Sequence, residues 1–207
     1  MKKLLFSFTL TLASALPNLA EELAPPTKMR TVMEKARAFR NPSSSHQLLT
    51  RFIGRWETST RLFIGDQISE PEPGVSETAW LMEGRWLQTI TAGRTMGAKA
   101  ETFHLTGYDN FKQCYVTTGI SSMDTAMIRS EGTLTPDGDM LILFGRADEY
   151  LHGIHDRPFK TIWRFIDDDR LVMELHDLTR DADETKVKEI IYIRTTLPTK
   201  PDEKPTP

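Results

Sequence analysis

The sequence predicts a mainly β protein: one antiparallel meander of about ten strands that closes into a barrel, preceded by a short helix. Three observations predict it. From Arg55 onward the hydrophobic period changes from helical to two. β-prone runs then recur at roughly 10–12-residue intervals, with turn signals between most of them. The intervals leave no room for the crossover helices that a parallel sheet requires. A meander of this length is expected to curl up, because closure removes the edge strands.

Residues 1–20 read as a signal peptide. Lys2 and Lys3 form a positive start, residues 4–12 an apolar run, and Ala13-Ser14-Ala15 a small-x-small cleavage pattern. Cleavage is expected after Ala15 or after Ala20. Pro17, Asn18 and Glu21 end the run short of the roughly 20 apolar residues of a spanning helix. The expected location is therefore periplasmic or secreted, with no stable membrane insertion after cleavage. Residues 21–42 read as a linker and a short helix: Pro25 and Pro26 stiffen the start, helix formers run from Thr27 to Phe39, and Asn41-Pro42 stops them.

Residues 43–197 are the predicted barrel domain. A serine of Ser43-Ser44-Ser45 can cap a helix whose apolar residues are Leu48, Leu49, Phe52 and Ile53, with Gly54 ending it. That helix is expected to plug or flank one end of the barrel. The first strand places Trp56, Thr58, Thr60, Leu62 and Ile64 on one face. Further strands are expected over 75–82, 85–92, 100–108, 113–120, 126–134, 140–146, 159–166, 171–178 and 186–195. Residues 198–207, with four prolines among charges, are expected to be disordered.

Composition excludes several classes. The 207 residues are 39% hydrophobic and 27% charged, too apolar for a disordered chain and too polar for a membrane bundle. A net charge of −3 supplies no basic surplus for phosphate backbones, so nucleic acid is not an expected partner. The single cysteine, Cys114, can form no internal disulfide and reads as a small buried hydrophobe.

A series of short motifs then runs along the chain: His46-x-Leu48-Leu49, Phe52-x-Gly54-x-Trp56, Leu81-Met82-Glu83-Gly84-Arg85-x-Leu87 and Gly107-Tyr108-Asp109-Asn110. Ser122-Met123-Asp124-Thr125, Asp167-Asp168-Asp169-Arg170 and Lys188-Glu189-Ile190-x-Tyr192-x-Arg194 complete it. In this order the series resembles the bacterial family named domain of unknown function 1579. The resemblance implies a calycin-like (lipocalin-like) β-barrel and no assigned activity. Where the family often has a tryptophan and an aspartate before the Ser-Met pair, this chain has Gly119 and Ser121.

The candidate chemistry is sparse. His152-Gly153-Ile154-His155-Asp156, after Asp148 and Glu149, offers metal-type ligands, but no helix fixes the two histidines on one face; it reads as a polar loop at the rim, and no metal is expected. Asp167-Asp168-Asp169 lacks the calcium-loop pattern and reads as a turn. No nucleophile elbow, phosphate loop or Cys-x-x-Cys occurs. Trp56, Trp86 and Trp163 could line an apolar pocket or fill a solid core. Glu189 shares a face with Val187, Ile191 and Ile193, so it is either buried with a partner such as Arg85 or Arg194, or aimed into a polar cavity. His104 and His176 fall mid-strand, where a satisfied histidine or a haem ligand would fit; no cofactor is expected.

The leading expectation is an exported protein that binds a small apolar molecule inside the barrel. Its candidate lining is Trp56, Arg85, Trp86, Trp163, His176, Glu189 and Arg194. An enzyme with a polar site at the barrel mouth, or an envelope interaction module with a filled barrel, are the alternatives. No catalytic residue is singled out, and the oligomeric state is left open.

Overall fold

The structure, a computed structural model, describes residues 27–150, 153–181 and 185–195. The expected signal peptide and C-terminal tail lie outside the described residues. The chain divides into two compact units, Met1–Ala38 and Phe39–Pro207. Most of helix α1 (Thr27–Arg40) belongs to the first and is exposed along nearly its whole length.

The second unit begins with a one-turn helix, α2 (Ser44–Gln47), which runs into a 3-10 turn, Leu48–Phe52. Eleven strands follow: β1 (Gly54–Ile64), β2 (Gln67–Ile68), β3 (Glu72–Leu81), β4 (Trp86–Thr95), β5 (Ala98–Asp109), β6 (Cys114–Ser121), β7 (Ile128–Leu134), β8 (Met140–Glu149), β9 (Ile154–Phe165), β10 (Arg170–Asp177) and β11 (Lys186–Arg194). Each strand from β3 onward pairs antiparallel with its successor, and β1 pairs with both β3 and β11. The result is a closed ten-stranded barrel, as the sequence predicts. β2 is a short flap folded back on the end of β1.

One stretch differs from the sequence expectation. Residues 147–158 read as a loop, but β8 reaches Glu149 and β9 starts at Ile154, with Glu149 paired to Ile154. A register shift between Ala147 and Glu149, with Asp156 in the left-handed region (φ 55), breaks the two-residue alternation that would have marked these strands.

Because successive strands alternate in direction, the turns fall into two rings. The turns after β3, β5, β7 and β9 join the Ser44–Phe52 segment at one end. That end is packed solid. Leu49, Phe52, Trp56, Leu87, Tyr115, Leu141, Leu171 and Tyr192 form a continuous buried cluster there. Phe52 packs edge-on against Trp163 and Phe165, with ring centres 5.1 and 5.3 Å apart. Each such side chain contributes roughly 1.5–3 kcal/mol when fully buried, which makes this end the energetic anchor of the fold.

Several motif residues hold the plug in place. The Arg194 guanidinium lies 4.0 Å over the Trp56 ring and donates to the backbone carbonyls of Ile53, Arg51 and Asp168. A Cβ at Gly54 would sit 2.6 Å from that guanidinium, and the φ of +123° is one that a side chain strains, so glycine is required there. Trp56 Nε1 donates to the Phe52 carbonyl at 2.9 Å, and the Tyr115 hydroxyl donates to the Ser45 carbonyl at 2.9 Å. Burial pushes the Tyr115 phenol up to about 12, so it remains a donor across the ordinary pH range. The Ser43 amide donates to His46 Nδ1 at 3.0 Å, and Asn110 Nδ2 donates to the Asn41 carbonyl at 2.8 Å.

Candidate functional site

Above the packed end the barrel is hollow. A ten-stranded barrel is wider than the eight-stranded kind that side chains just fill, so inward residues of ordinary size leave space between opposite walls. The cavity has a volume of about 640 Å³, roughly the share of twenty water molecules. Phe52, Trp56, Leu87 and Leu141 bound it at the packed end. Toward the other end it reaches the β4–β5 turn at Met96, the β6–β7 loop at Met123 and Asp124, and Tyr150 after β8.

The two walls differ in chemistry. On β1 and β3 to β6 the inward positions are hydroxyls, with Thr58, Thr60, Ser76, Thr78, Thr89 and Thr91 on the first three of these strands. They satisfy one another across the strands: Ser76 with Thr91 at 2.8 Å, Thr78 with Thr89 at 2.9 Å, and Thr106 with Thr117 at 2.8 Å. On β8 to β10 the inward positions are mainly apolar, Leu143, Phe159, Trp163, Met173 and Leu175, with Thr161 among them. One wall is rich in hydroxyls and the opposite wall is mainly apolar, with the Arg157–Asp177 ion pair toward the open end.

Of the basic residues that line this space, Arg94 donates to the Gly97 carbonyl and Arg157 pairs with Asp177, whereas His104 and Lys188 lie deeper among the strands. His104 stands on β5, opposite Thr89 on one neighbour and Gly119 on the other. A Cβ at Gly119 would lie 2.5 Å from His104 Cδ2, so the imidazole occupies the place a side chain at 119 would take. Lys188 stands on β11 in step with Ile190 and Tyr192, between Leu62 of β1 and Leu175 of β10. Burial lowers the proton affinity of Lys188, with no compensating neighbour. Burial and then the Lys188 charge lower that of His104. Both residues keep some exposure, and both line the cavity, so that exposure is to the interior space.

Of the candidate lining residues, Trp56 and Trp163 border the cavity at its packed end. Arg194 lies behind Trp56, in the plug clamp described above. Arg85 sits in the β3–β4 turn of the plugged ring, where it donates to the carbonyls of Arg40 (3.1 Å) and Met82 (3.2 Å) and reaches Glu83 at 3.4 Å. Trp86 faces outward; its ring fills the space over Gly107 and borders an open surface groove with Val116, Met127 and Phe144. Glu189 lies on the outer face of β11 and pairs with Lys186 at 2.8 Å, a partner other than the two arginines considered from sequence.

His176 borders the cavity near the far end of β10; its Nδ1 lies 3.0 Å from the Thr185 hydroxyl and its Nε2 3.6 Å from Glu174. Glu174 also binds Arg164 at 3.1 Å and Lys186 at 3.3 Å. Burial would raise its carboxyl, but these cations outweigh that and hold it below the ordinary range.

His152 lies outside the described residues. His155 is exposed and pairs with Asp148 at 3.3 Å. Among the described residues no group of three or more histidine, cysteine or acidic side chains is placed to hold a metal ion. Cys114 is half-buried at the start of β6, where burial raises its thiol above the usual range.

Sequence reasoning did not single out Lys188 or the hydroxyl wall. The signal was present in both cases. Thr or Ser recurs at alternate positions on β1, β3 and β4, and Lys188 shares its alternation with Ile190 and Tyr192 rather than with Ile191 and Ile193. The choice of inner face on β11 decided which charged residue looked interesting.

A ten-stranded closed barrel with a helical plug and an interior cavity defines the class of protein. Residues 41–194 match the family described as protein of unknown function (DUF1579). The match covers the plug and every strand, so the chain belongs to that family. No curated protein matches the chain significantly.

Proposed function

We propose that the barrel is a binding protein that takes up one small, largely apolar molecule in its interior. The observation that carries this reading is the cavity of about 640 Å³, walled on one side by Leu143, Phe159, Trp163, Met173 and Leu175. Sites for small ligands commonly enclose about 300–1,000 Å³ with mostly apolar lining and a few polar groups. The exposed apolar residues Met96, Met123 and Tyr150 at the open end suit an entry route for such a molecule. The N-terminal pattern of Lys2, Lys3 and the apolar run after them supports action outside the cytoplasm. Determining the N-terminus of the protein recovered from the cell envelope or medium tests that part.

Titration with the neutral, polarity-sensitive fluorophore N-phenyl-1-naphthylamine tests the cavity. One saturable site per chain is expected, lost in Leu143→Trp, which fills the space. Unsaturable binding, or binding unchanged by the filled variant, would count against an interior site.

A further inference from the structure

Lys188 is the one lysine drawn into the cavity, and its surroundings are unusual for a lysine. Lys112 pairs with Glu131 at 2.6 Å, and Lys186 with Glu174 and Glu189 at 3.3 and 2.8 Å. No carboxylate among the described residues pairs with Lys188. Among the described residues, the four acidic ones that border the cavity are engaged elsewhere. Asp177 pairs with Arg157 at 2.6 Å and Arg180 at 3.3 Å. Glu149 approaches Arg157 at 3.9 Å, and Asp148 approaches His155 at 3.3 Å. Asp124 accepts from the Ala126 amide at 3.0 Å. An ammonium enclosed by protein without a counter-charge is costly to keep, and a bound anion offsets that cost.

We propose, building on the reading above, that the interior ligand is an amphiphilic carboxylate. Its charged end is held by the Lys188 ammonium and the His104 ring, and its apolar body lies against Leu143, Phe159, Met173 and Leu175. The geometry supports both halves. His104 and Lys188 reach the same space from strands on different sides of the barrel, β5 and β11. The Thr102 hydroxyl, two residues from His104 on β5, adds a further donor for carboxylate oxygens. The single Lys188 ammonium balances a single negative charge, which favours a monocarboxylate over a phosphate dianion.

The test displaces bound N-phenyl-1-naphthylamine with palmitate and, separately, with methyl palmitate, using wild type and Lys188→Met. A charge-assisted contact contributes about 1.5–3 kcal/mol, so palmitate should bind wild type on the order of tenfold to a hundredfold more tightly than the ester. Lys188→Met should abolish that preference, so that acid and ester displace the fluorophore equally well. Equal binding of acid and ester by wild type, or a preference that survives in Lys188→Met, overturns the carboxylate inference and leaves the apolar site standing. Failure of the fluorophore itself to bind wild type overturns the interior site.

Discussion

The two ends of the barrel are built by the same strands and the same alternation, yet one is full and the other is hollow. At the plugged end the inward positions carry Trp56, Leu87, Tyr115, Leu141, Leu171 and Tyr192, and the Ser44–Phe52 segment supplies Leu49 and Phe52 to fill what remains. A few residues further along each strand the inward positions become threonine, serine, glycine or alanine on half the circumference. Small side chains on a wide barrel cannot meet in the middle. Stability is therefore concentrated at one end, and the other end is released from the packing constraint that stability imposes.

That division predicts where substitutions hurt. Trp56→Ala should have the largest effect, because it removes a fully buried ring between Arg194 and Tyr192; urea unfolding is expected to show a loss of about 3–5 kcal/mol. Arg194→Met comes next. It strands the carbonyls of Arg51, Ile53 and Asp168, and a loss of about 1–3 kcal/mol is expected in the same measurement.

In the hollow half the effects should be smaller and of mixed sign. Thr78→Val alone leaves Thr89 without its cross-strand partner and should cost on the order of 1 kcal/mol. The double variant with Thr89→Val removes both partners and should return close to wild type, as a double-mutant cycle would show. Lys188→Met should be neutral or raise the melting temperature, because it removes a charge enclosed without a counter-ion. A marked loss of stability in Lys188→Met would mean that the lysine belongs to the structural half after all.

The rim has its own signature in acid. The Asp177 carboxyl is subject to burial, which raises it, but hydrogen bonds from Thr179 and the Arg157 ion pair outweigh this and hold it below its ordinary value. A carboxyl lowered in the folded state contributes stability above its unfolded pKa, near 4, and loses it as pH falls through the folded value. Asp177→Asn should therefore flatten the decline in melting temperature below about pH 4 and leave its slope near pH 7 unchanged.

The plugged half was far more legible in the sequence than the hollow half. Apart from Ser122–Thr125 at the open end and Lys188 in the cavity, the motifs lie at the plug, and their roles there are structural. Gly54 makes room for Arg194, Gly107 makes room for the Trp86 ring, Tyr108 packs against His46 and Tyr115, and Asn110 grips the Asn41 carbonyl. Aromatic, glycine and turn residues stand out in a sequence, so this end could be read along with the strand count.

Threonines in a strand do not stand out, since β-branched residues are expected there on either face. Their meaning appears only when Thr58, Ser76, Thr91 and Thr102 are seen to converge. Lys188 was overlooked because Glu189, one residue on, has equally apolar neighbours on its own face, and closure of the barrel alone decides which face is inside. Gly119 and Ser121, where the chain departs from the family's usual tryptophan and aspartate, both line the cavity, so the departure falls in the hollow half. The fit of His104 over Gly119 is a close one. Gly119→Ala would force the ring aside, and fluorophore affinity is the quantity expected to respond.

The most direct test of an empty, ligand-taking half is anomalous diffraction from crystals soaked with a long-chain carboxylate brominated near its tail. Bromine peaks inside the barrel, beside Leu143 and Met173 and with the carboxylate on Lys188, are the result this account predicts. Peaks confined to the outer groove beside Trp86 and Phe144, with the interior closed by shifted side chains, would contradict it.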